Sequence, residues 1–377
     1  MTHPSPSKRT VPIIDLGQEY EAIKKDLTPL LETILRSGSY VLGPELVRFE
    51  KDLSQYLGVR HAIGVNSGTD AVGLALKALD IGPGDEVILP AMSFFASVEP
   101  IIHLGAKPVF VDIDPVSYGI HVAAISPKIT SRTKAILAVH LYGHPADLKG
   151  LSQLAKEKKI PLIEDMAQAI GSSYDGKKAG SWGDMACLSF YPTKNLGACG
   201  DAGAVLTSSD LLAERIRSLR NHGARVKYHH EEAAYNSRLD EIQAAILRLK
   251  LKYLEEWTEK RRTLAVQYHS ALSALPIDLP REVPGYRHVF HLYSIQSDRR
   301  DDLKVYLGDQ GIATGLHYPI PLPLLPALKS LGHQDNDFPV SESLARRTLS
   351  LPLYPFMRSE DVLYVAESVS RFCKAHA

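Results

Sequence analysis

The sequence predicts an α/β fold, with a large domain on a mostly parallel central sheet flanked by helices and a smaller α+β domain at the C-terminal end. Short apolar runs alternate with helix-like stretches from about Tyr56 to Val205, a pattern typical of βαβ units. Turn signals such as Gly82-Pro-Gly-Asp85 separate the runs. A length of 377 residues exceeds one typical domain, so two domains are expected.

The predicted strands of the large domain are its short apolar runs. They are Ala62–Val65, Glu86–Leu89, Pro108–Val111, Ala135–Val139, Pro161–Ile163 and Cys187–Phe190. Because these runs are apolar on both sides of the chain, we expect a sheet that is buried on both faces.

The C-terminal part predicts a different architecture. Apolar residues at near-helical spacing predict one long helix over Leu239–Arg262, which leads into the second domain. Beyond it we expect a strand at His288–Ile295 and helices at Leu303–Asp309 and Asp361–Cys373. The predicted division is 1–255 for the large domain with its N-terminal segment and 256–377 for the small C-terminal domain.

Composition and charge exclude several classes of function. Lys and Arg total 43, and so do Asp and Glu, so no basic excess favours nucleic acid or an anionic membrane. Three cysteines predict neither a disulfide framework nor a metal site, as in a reducing cytoplasm. The segment 1–10 has no apolar core typical of a signal peptide. No apolar run approaches the ~20 residues that span a bilayer. We therefore expect a cytoplasmic protein.

Two residues indicate the chemistry. Lys194 lies in Ser189-Phe-Tyr-Pro-Thr-Lys194-Asn-Leu-Gly197, and Asp165 ends the apolar run that begins at Pro161. A pyridoxal phosphate (PLP) enzyme needs a lysine that forms a Schiff base and a carboxylate that keeps the ring nitrogen protonated. The alternative for each is an ordinary exposed residue, and the neighbouring motifs decide between the two.

Two of those motifs follow predicted strands. Gly68-Thr69 lies between a strand and a helix, where backbone N–H groups and the helix dipole attract a phosphate; an ordinary helix cap is the alternative. Ser189 could reach the same phosphate. Phe94 follows the next strand and could stack on a cofactor ring, or it could be a core residue. Ligands of open α/β sheets bind at the carboxyl ends of the strands, where all these residues are expected.

These residues resemble a known family. The chain is similar to nucleotide-sugar aminotransferases of the DegT/DnrJ type, a branch of the fold-type I PLP enzymes with the aspartate aminotransferase fold. The resemblance extends from Ile13-Ile-Asp-Leu16 and Ser39-Tyr-Val-Leu-Gly-Pro-Glu45 to Leu349-Ser-Leu-Pro352. It implies that Lys194 binds the cofactor covalently, with Asp165 as partner of the pyridinium nitrogen. The other cofactor contacts that it implies are Gln168 near the ring hydroxyl, Phe94 rather than Phe95 on the ring, and Gly68, Thr69 and Ser189 at the phosphate.

The resemblance also implies a homodimer with shared active sites. In the family, the asparagine that corresponds to Asn236 reaches the cofactor phosphate of the neighbouring subunit. Arg238 is a candidate for the carboxylate of the amino donor, since a guanidinium binds carboxylate bidentately, or else it forms a structural ion pair. His317 and Tyr318 resemble the substrate loop. The following residues, Leu322–Leu328, are apolar where relatives carry a polar residue and then Gln-Pro-Ala and an aromatic.

The implied reaction is ping-pong transamination from L-glutamate to a keto group on a nucleotide-linked sugar. The stretch from Tyr191 to Gly197 resembles the branch that acts on 3-keto sugars, so we favour a dTDP-3-keto-6-deoxyhexose. A UDP-linked 3-keto uronate or a 4-keto sugar is the alternative. A sugar C3 dehydratase is disfavoured, because the related dehydratases carry a histidine at the position of Lys194. A PLP-binding regulatory homologue without turnover remains open. A nicotinamide-type Rossmann protein is disfavoured, because no Gly-x-Gly-x-x-Gly opens the chain.

Overall fold

The structure, a computed structural model, describes residues 9–376. Most of the segment used to exclude a signal peptide, residues 1–8, therefore lies outside the described residues. Among the helices of residues 9–376, none has the length and apolar character needed to cross a membrane. The same residues contain no group of three or more His, Cys, Asp or Glu side chains that could hold a metal ion.

The described residues form eleven α-helices and fourteen strands. The helices are α1 (Leu16–Ser37), α2 (Pro44–Leu57), α3 (Gly68–Ala78), α4 (Glu99–His103), α5 (Leu148–Lys158), α6 (Asp210–Leu219), α7 (Glu241–Leu251), α8 (Leu254–Leu272), α9 (Arg300–Asp309), α10 (Pro339–Arg347) and α11 (Ser359–Ala375). The strands are β1 (His61–Val65), β2 (Glu86–Pro90), β3 (Lys107–Val111), β4 (Thr133–Val139), β5 (Leu162–Asp165), β6 (Ser173–Tyr174), β7 (Lys177–Lys178), β8 (Met185–Ser189), β9 (Gly203–Thr207), β10 (Ala224–Val226), β11 (His229–His230), β12 (Tyr286–Arg287), β13 (Tyr293–Gln296) and β14 (Thr348–Leu351).

The central sheet has seven strands in the order β1-β9-β8-β5-β4-β2-β3. Neighbouring strands from β8 to β3 are parallel, whereas β9 is antiparallel to both β8 and β1. The predicted mostly parallel sheet is therefore confirmed. Strand β9 was absent from the predicted set. It follows directly on the glycine-rich stretch after Lys194, and that stretch shows no strand pattern.

The predicted long helix over Leu239–Arg262 is wrong in one respect: it is two helices. α7 ends at Leu251 and α8 begins at Leu254. The break has a packing cause. α7 buries Ala244 and Leu247 against the large sheet, whereas α8 buries Tyr268 and Leu272 in a cluster of C-terminal residues. One straight helix could not turn its apolar residues toward both places.

The predicted strand His288–Ile295 is also wrong over its first half, since β13 begins at Tyr293. The amides of Val289 and Leu292 donate to the carbonyls of Gly143 and Tyr142, at 3.0 and 3.2 Å. Because a loop of the large domain satisfies these backbone groups, the segment before β13 needs no neighbouring strand and remains irregular.

Two apolar clusters organise the molecule. One lies between α3 and the central sheet and includes Ile63, Leu76 and Val205. Another joins Val11 to residues between Leu264 and Cys373. Helix α8 lies between these two regions in the sequence, and its C-terminal half packs in the second cluster. The division near residue 255 stays a prediction.

Candidate active site

A cavity of about 520 Å³ opens at one edge of the central sheet. Nine of the eleven predicted site residues line it: Gly68, Thr69, Phe94, Asp165, Gln168, Ser189, Lys194, His317 and Tyr318. The other two, Asn236 and Arg238, do not. The predicted residues lie far apart in the sequence, and the fold gathers most of them around one space.

Strand direction explains this convergence. Asp165 is the last residue of β5 and Ser189 the last of β8, while Gly68 begins the helix that follows β1. β5 and β8 are parallel neighbours, so their carboxyl ends meet at the same edge. We refer to this side of the cavity, formed by Gly68, Thr69, Asp165, Ser189 and Lys194, as the lysine wall.

Asp165 is held by hydroxyl and amide groups. Its Oδ2 accepts a hydrogen bond from Ser97 Oγ at 2.7 Å, and its Oδ1 accepts one from the amide of Ala167 at 3.0 Å. Ser97 Oγ lies 2.8 Å from Ser93 Oγ. Both serines are buried and line the cavity. Sequence reasoning missed them, although both lie within three residues of Phe94.

Lys194 lies in a tight turn at the same wall. Its amide donates to the carbonyl of Tyr191 at 2.8 Å. Burial lowers the pKa of the Lys194 amine to about 8, and the negative charge of Asp165 opposes that shift. At pH 7 a lysine with this pKa is roughly one-tenth neutral, a fraction a few hundred times that of an ordinary lysine. The amine is therefore suited to act as a nucleophile and as a base.

The turn before α3 contains a helix cap and also has the features of a phosphate site, the two alternatives that the sequence left open. Ser67 is the helix N-cap, and its hydroxyl accepts from the amide of Asp70 at 3.1 Å. The first-turn amides of a helix lack intrahelical partners, and Thr69 lines the cavity beside them. A Cβ on Gly68 would lie 2.5 Å from Ser189 Cβ. Only glycine lets Ser189 approach this helix end, so the turn has the form of a phosphate cradle.

Of the two adjacent phenylalanines, Phe94 is the one that lines the cavity. Its side chain is 56% exposed, whereas Phe95 packs against the large apolar cluster. The ring of Phe94 lies 5.5 Å from that of Tyr318, measured between centroids. An exposed aromatic face in a binding cavity is suited to stacking on a planar ring.

A second wall faces these groups, formed by His291, His317 and Tyr318, and we refer to it as the histidine wall. Burial lowers the pKa of His317 to about 4, and the nearby Lys194 contributes. Burial also holds the pKa of His291 well below its ordinary value, again with a contribution from Lys194. Both imidazoles are therefore neutral at neutral pH. His291 was missed because its segment was read as a strand.

Gln168 connects the histidine wall to the sheet edge. Its Nε2 donates to the Tyr318 hydroxyl at 3.0 Å, and its Oε1 accepts from the amide of Tyr142 at 2.7 Å. The Tyr142 hydroxyl in turn donates to the carbonyl of His317. These bonds fix the amide orientation of Gln168 at the cavity.

Asn236 and Arg238 lie elsewhere. Asn236 is exposed and forms an isolated bridge with Asn221. Arg238 Nη1 donates to Asn221 Oδ1 at 3.2 Å. Neither reaches the cavity of its own chain, so their roles in a neighbouring subunit stay predictions.

The apolar departure in the substrate loop has a structural reason. Leu322 and Leu328 are buried in the large apolar cluster, and the amide of Leu322 donates to the carbonyl of Ala91 at 2.8 Å. These leucines anchor the loop beside the sheet, and neither lines the cavity.

The residues present fit pyridoxal phosphate. The cavity offers a lysine, a buried carboxylate, an exposed aromatic face and a helix N-terminus with two hydroxyl side chains, as the cofactor requires. The close approach of Ser189 to Gly68 is the most specific feature, because it brings a hydroxyl donor to the helix end.

Comparisons with known proteins show to which family the chain is similar. The model of the DegT/DnrJ/EryC1/StrS aminotransferase family matches residues 21–370. The dTDP-3-amino-3,4,6-trideoxy-alpha-D-glucose transaminase of Streptomyces venezuelae is 44% identical over 365 residues, covering 97% of this chain and 96% of that protein. A pleiotropic regulatory protein of Geobacillus stearothermophilus is 45% identical over 370 residues, covering 97% and 100%.

Solved structures give the same result. A crystal structure of S. venezuelae DesV in complex with a ketimine intermediate has a TM-score of 0.95 and 44% identity, covering 97% of this chain and 98% of that one. The structure of NtdA from Bacillus subtilis with bound cofactor PMP has a TM-score of 0.88 and 35% identity, covering 95% and 85%.

Proposed function

This chain belongs to the DegT/DnrJ/EryC1/StrS aminotransferase family, and we propose that it aminates the C3 keto carbon of a nucleotide-linked deoxyhexose. It is a PLP-dependent nucleotide-sugar aminotransferase. The observation that carries the residue assignment is the common cavity of Lys194, Asp165 and the Gly68–Ser189 turn. L-Glutamate is the proposed amino donor.

We assign the cofactor contacts as follows. Asp165 would accept a hydrogen bond from the pyridine nitrogen and keep it charged, while Phe94 would cover one face of the ring. Gly68, Thr69 and Ser189 would hold the phosphate, and Gln168 would lie near the ring hydroxyl. When bound, PLP supplies an electron sink that makes the Cα proton of the amino donor acidic.

Lys194 is the proposed base and acid. Its amine would take the proton from Cα of the amino donor as a base and give it back as an acid, and it would move a proton the opposite way in the second half-reaction. A pKa of about 8 suits both directions. Ser97 keeps the Asp165 carboxylate oriented through this cycle, because its hydroxyl donates to Oδ2.

Charge within the cavity favours a deoxyhexose over a uronate. Among the residues of 9–376 that line the cavity, Lys194 is the only Lys or Arg. Asp165 and Asp201 add negative charge, and the imidazoles of the histidine wall are held neutral. Within one subunit a sugar carboxylate would have no cation, which favours a neutral sugar such as a dTDP-3-keto-6-deoxyhexose; a uronate would depend entirely on Arg238 of a second subunit. A UDP-linked 3-keto uronate or a 4-keto sugar is the alternative.

The same shortage of cations supports a homodimer with shared sites. Glutamate and a nucleotide diphosphate are anions, and Arg238 of a second subunit could meet them. Exposed apolar residues on α1, α2 and their connection, namely Leu35, Tyr40, Val41 and Val47, offer a surface for such a contact. A cytoplasmic location accords with three free cysteines in the described residues.

A regulatory protein that binds PLP without turnover is the second candidate. The name of the G. stearothermophilus relative favours it. Turnover of a keto-sugar substrate separates the two functions, because a sensor binds the cofactor but transfers no amine.

The direct test is a screen of nucleotide-linked 3-keto and 4-keto sugars with L-glutamate, in which formation of 2-oxoglutarate is measured. We expect the highest kcat/KM with a dTDP-linked 3-keto-6-deoxyhexose. A higher value for a uronate or a 4-keto sugar would contradict the proposed substrate, and no turnover with any member would favour the sensor.

Subunit mixing tests the shared site. Lys194→Ala and Asn236→Ala homodimers should each have low activity, whereas a mixed dimer should regain part of it, because one of its two sites combines both native residues. Absence of any recovery in a verified mixed dimer would count against shared sites.

A further inference from the structure

The turn that carries Lys194 is closed on itself. The amide of Ala198 donates to the carbonyl of Phe190 at 2.7 Å, and that of Lys194 donates to Tyr191. A Cβ on Gly197 would lie 2.3 Å from the carbonyl oxygen of Pro192. The peptide at Gly197 is therefore packed against the start of the turn, and any group that fixes Gly197 also fixes Lys194.

A buried lysine forms a hydrogen bond with this peptide. Lys250, on α7, donates from Nζ to the carbonyl of Gly197 at 2.7 Å. Its side chain is almost entirely buried, with 5% of the residue exposed. A buried ammonium requires compensation, and Glu19 on α1 provides it by contacting Nζ directly. Glu19 is itself 8% exposed.

Glu19 has a second cation nearby. Burial lowers the pKa of Arg261 to about 10, and the charge of Glu19 opposes that shift. Arg261 Nη1 also donates to the carbonyl of Leu353 at 2.8 Å. The carboxylate would therefore keep a cationic partner if Lys250 lost its charge.

The N-terminal segment places Glu19 in this position. Val11 pairs with the small domain, since its amide donates to Gly311 and its carbonyl accepts from Ala313, both at 2.9 Å. Asp15 then caps α1 through the amides of Gly17 and Gln18, so that Glu19 lies in the first turn. The conspicuous Ile13-Ile-Asp-Leu16 motif lies within this connection.

This connection lies near His317 at one end and reaches the support of the Lys194 turn at the other. At its start, Ile13 Cδ1 and His317 Cε1 crowd the same side of Gly315, where a Cβ would lie 2.9 and 2.5 Å from them. At its end, Glu19 contacts Lys250, which holds the carbonyl of Gly197. The chain from Val11 to Glu19 thus runs from the segment before His317 to the support of the Lys194 turn.

We propose that Glu19 and Lys250 are positioning residues, which orient Lys194 by fixing the carbonyl of Gly197, and that the N-terminal segment is thereby part of the active-site framework. The inference rests on the proposed role of Lys194. It explains why a buried ion pair lies under a catalytic turn, where apolar residues would pack at lower cost.

The test uses Lys250→Met in the full-length, cofactor-free protein. Met fills a similar volume and leaves Glu19 within the electrostatic influence of Arg261, but it donates nothing to Gly197. Acylation of Lys194 is followed by mass spectrometry against pH, together with amide hydrogen exchange of residues 194–198. A loosened turn admits water to the amine, so the midpoint of acylation should rise from about 8 by about 0.5–1 pH unit. Exchange should become about tenfold faster.

The matched control is Arg220→Met. Arg220 Nη1 donates to the carbonyl of Gly64 at 2.7 Å and pairs with Glu50, so it repeats the geometry of Lys250 away from the Lys194 turn. This variant should lose stability but keep the wild-type acylation midpoint. A Lys250→Met protein that loses stability while both Lys194 readouts stay at wild-type values would overturn the proposal.

A second variant keeps the test decisive if the Lys250→Met protein does not fold. Glu19→Leu/Lys250→Met removes both charges together, and such replacements of buried pairs are often tolerated. An upward shift of the acylation midpoint in this variant supports the positioning role, and a wild-type midpoint contradicts it. Covalent attachment of PLP to a Lys194→Ala protein after borohydride reduction would instead contradict the assignment of Lys194 itself, which separates the two failures.

Discussion

The two walls of the cavity are built by different means. The lysine wall stands on the ends of buried parallel strands, so its groups are fixed by the same sheet that forms the core. The histidine wall lies on irregular segments. The segment that carries His291 is held by the hydrogen bond from the amide of Val289 to the carbonyl of Gly143, and His317 is held by the Tyr142 hydroxyl, which donates to its carbonyl. Neutral imidazoles face the amine across the cavity.

This difference suggests a division of labour. Strand ends hold groups that must keep one geometry through a reaction, and loops placed on a rigid scaffold vary more readily with substrate. We therefore expect changes in the lysine wall to lower the chemical rate in both half-reactions. Changes in the histidine wall should act mainly on the sugar half-reaction.

The largest expected effect is that of Lys194→Ala. Loss of the base should lower turnover about 10⁴-fold or more, and borohydride reduction should no longer attach the cofactor covalently to the protein. Lys149→Ala, at an exposed lysine on α5, is the control and should behave as wild type. The same covalent attachment in Lys194→Ala would refute the assignment.

Asp165→Ala should lower turnover about 10²–10³-fold with the fold retained, since a buried charge opposite the ring nitrogen is lost. Asp165→Asn separates charge from hydrogen bonding, because the amide oxygen can still accept from Ser97. We expect the Asn variant to be nearly as slow as the Ala variant. Near-native turnover in Asp165→Asn would remove the role of the charge.

Tyr318→Phe tests the histidine wall. It removes one hydroxyl group from the histidine wall, so kcat/KM for the keto sugar should fall up to about tenfold. The glutamate half-reaction, followed by single-turnover absorbance, should change less. Tyr268→Phe is the control, because it removes a buried hydroxyl bond to Pro352 at a distant site. An equal loss in both half-reactions would contradict the proposed division.

The smallest expected effect is that of Ser97→Ala. Asp165 keeps its bond from the amide of Ala167 but loses the one from the hydroxyl, so turnover should fall roughly three- to fivefold in both half-reactions. Ser93→Ala, one step further from Asp165, should have a smaller effect. If Ser93→Ala is the slower variant, the proposed order of contacts is wrong.

Much of the fold was predictable from the sequence because parallel strands that are buried on both faces consist of nearly continuous apolar residues. All six predicted strands of the large domain lie within or overlap observed ones. β9 was missed although Ala204-Val-Leu206 is a short apolar run of the same kind. The break between α7 and α8 was missed because helical spacing continues across it, and only the two separate cores require the turn.

Local sequence motifs were enough to predict the chemistry. Lys194, Asp165 and the Gly68–Thr69 turn belong to such motifs, in which the residue type and its place after a strand carry the information. Which distant groups lie beside them depends on the fold and could not be read from these motifs. Ser97, His291 and Lys250 act through contacts with residues remote in sequence, and such contacts leave no local pattern because either partner alone is an ordinary buried polar residue.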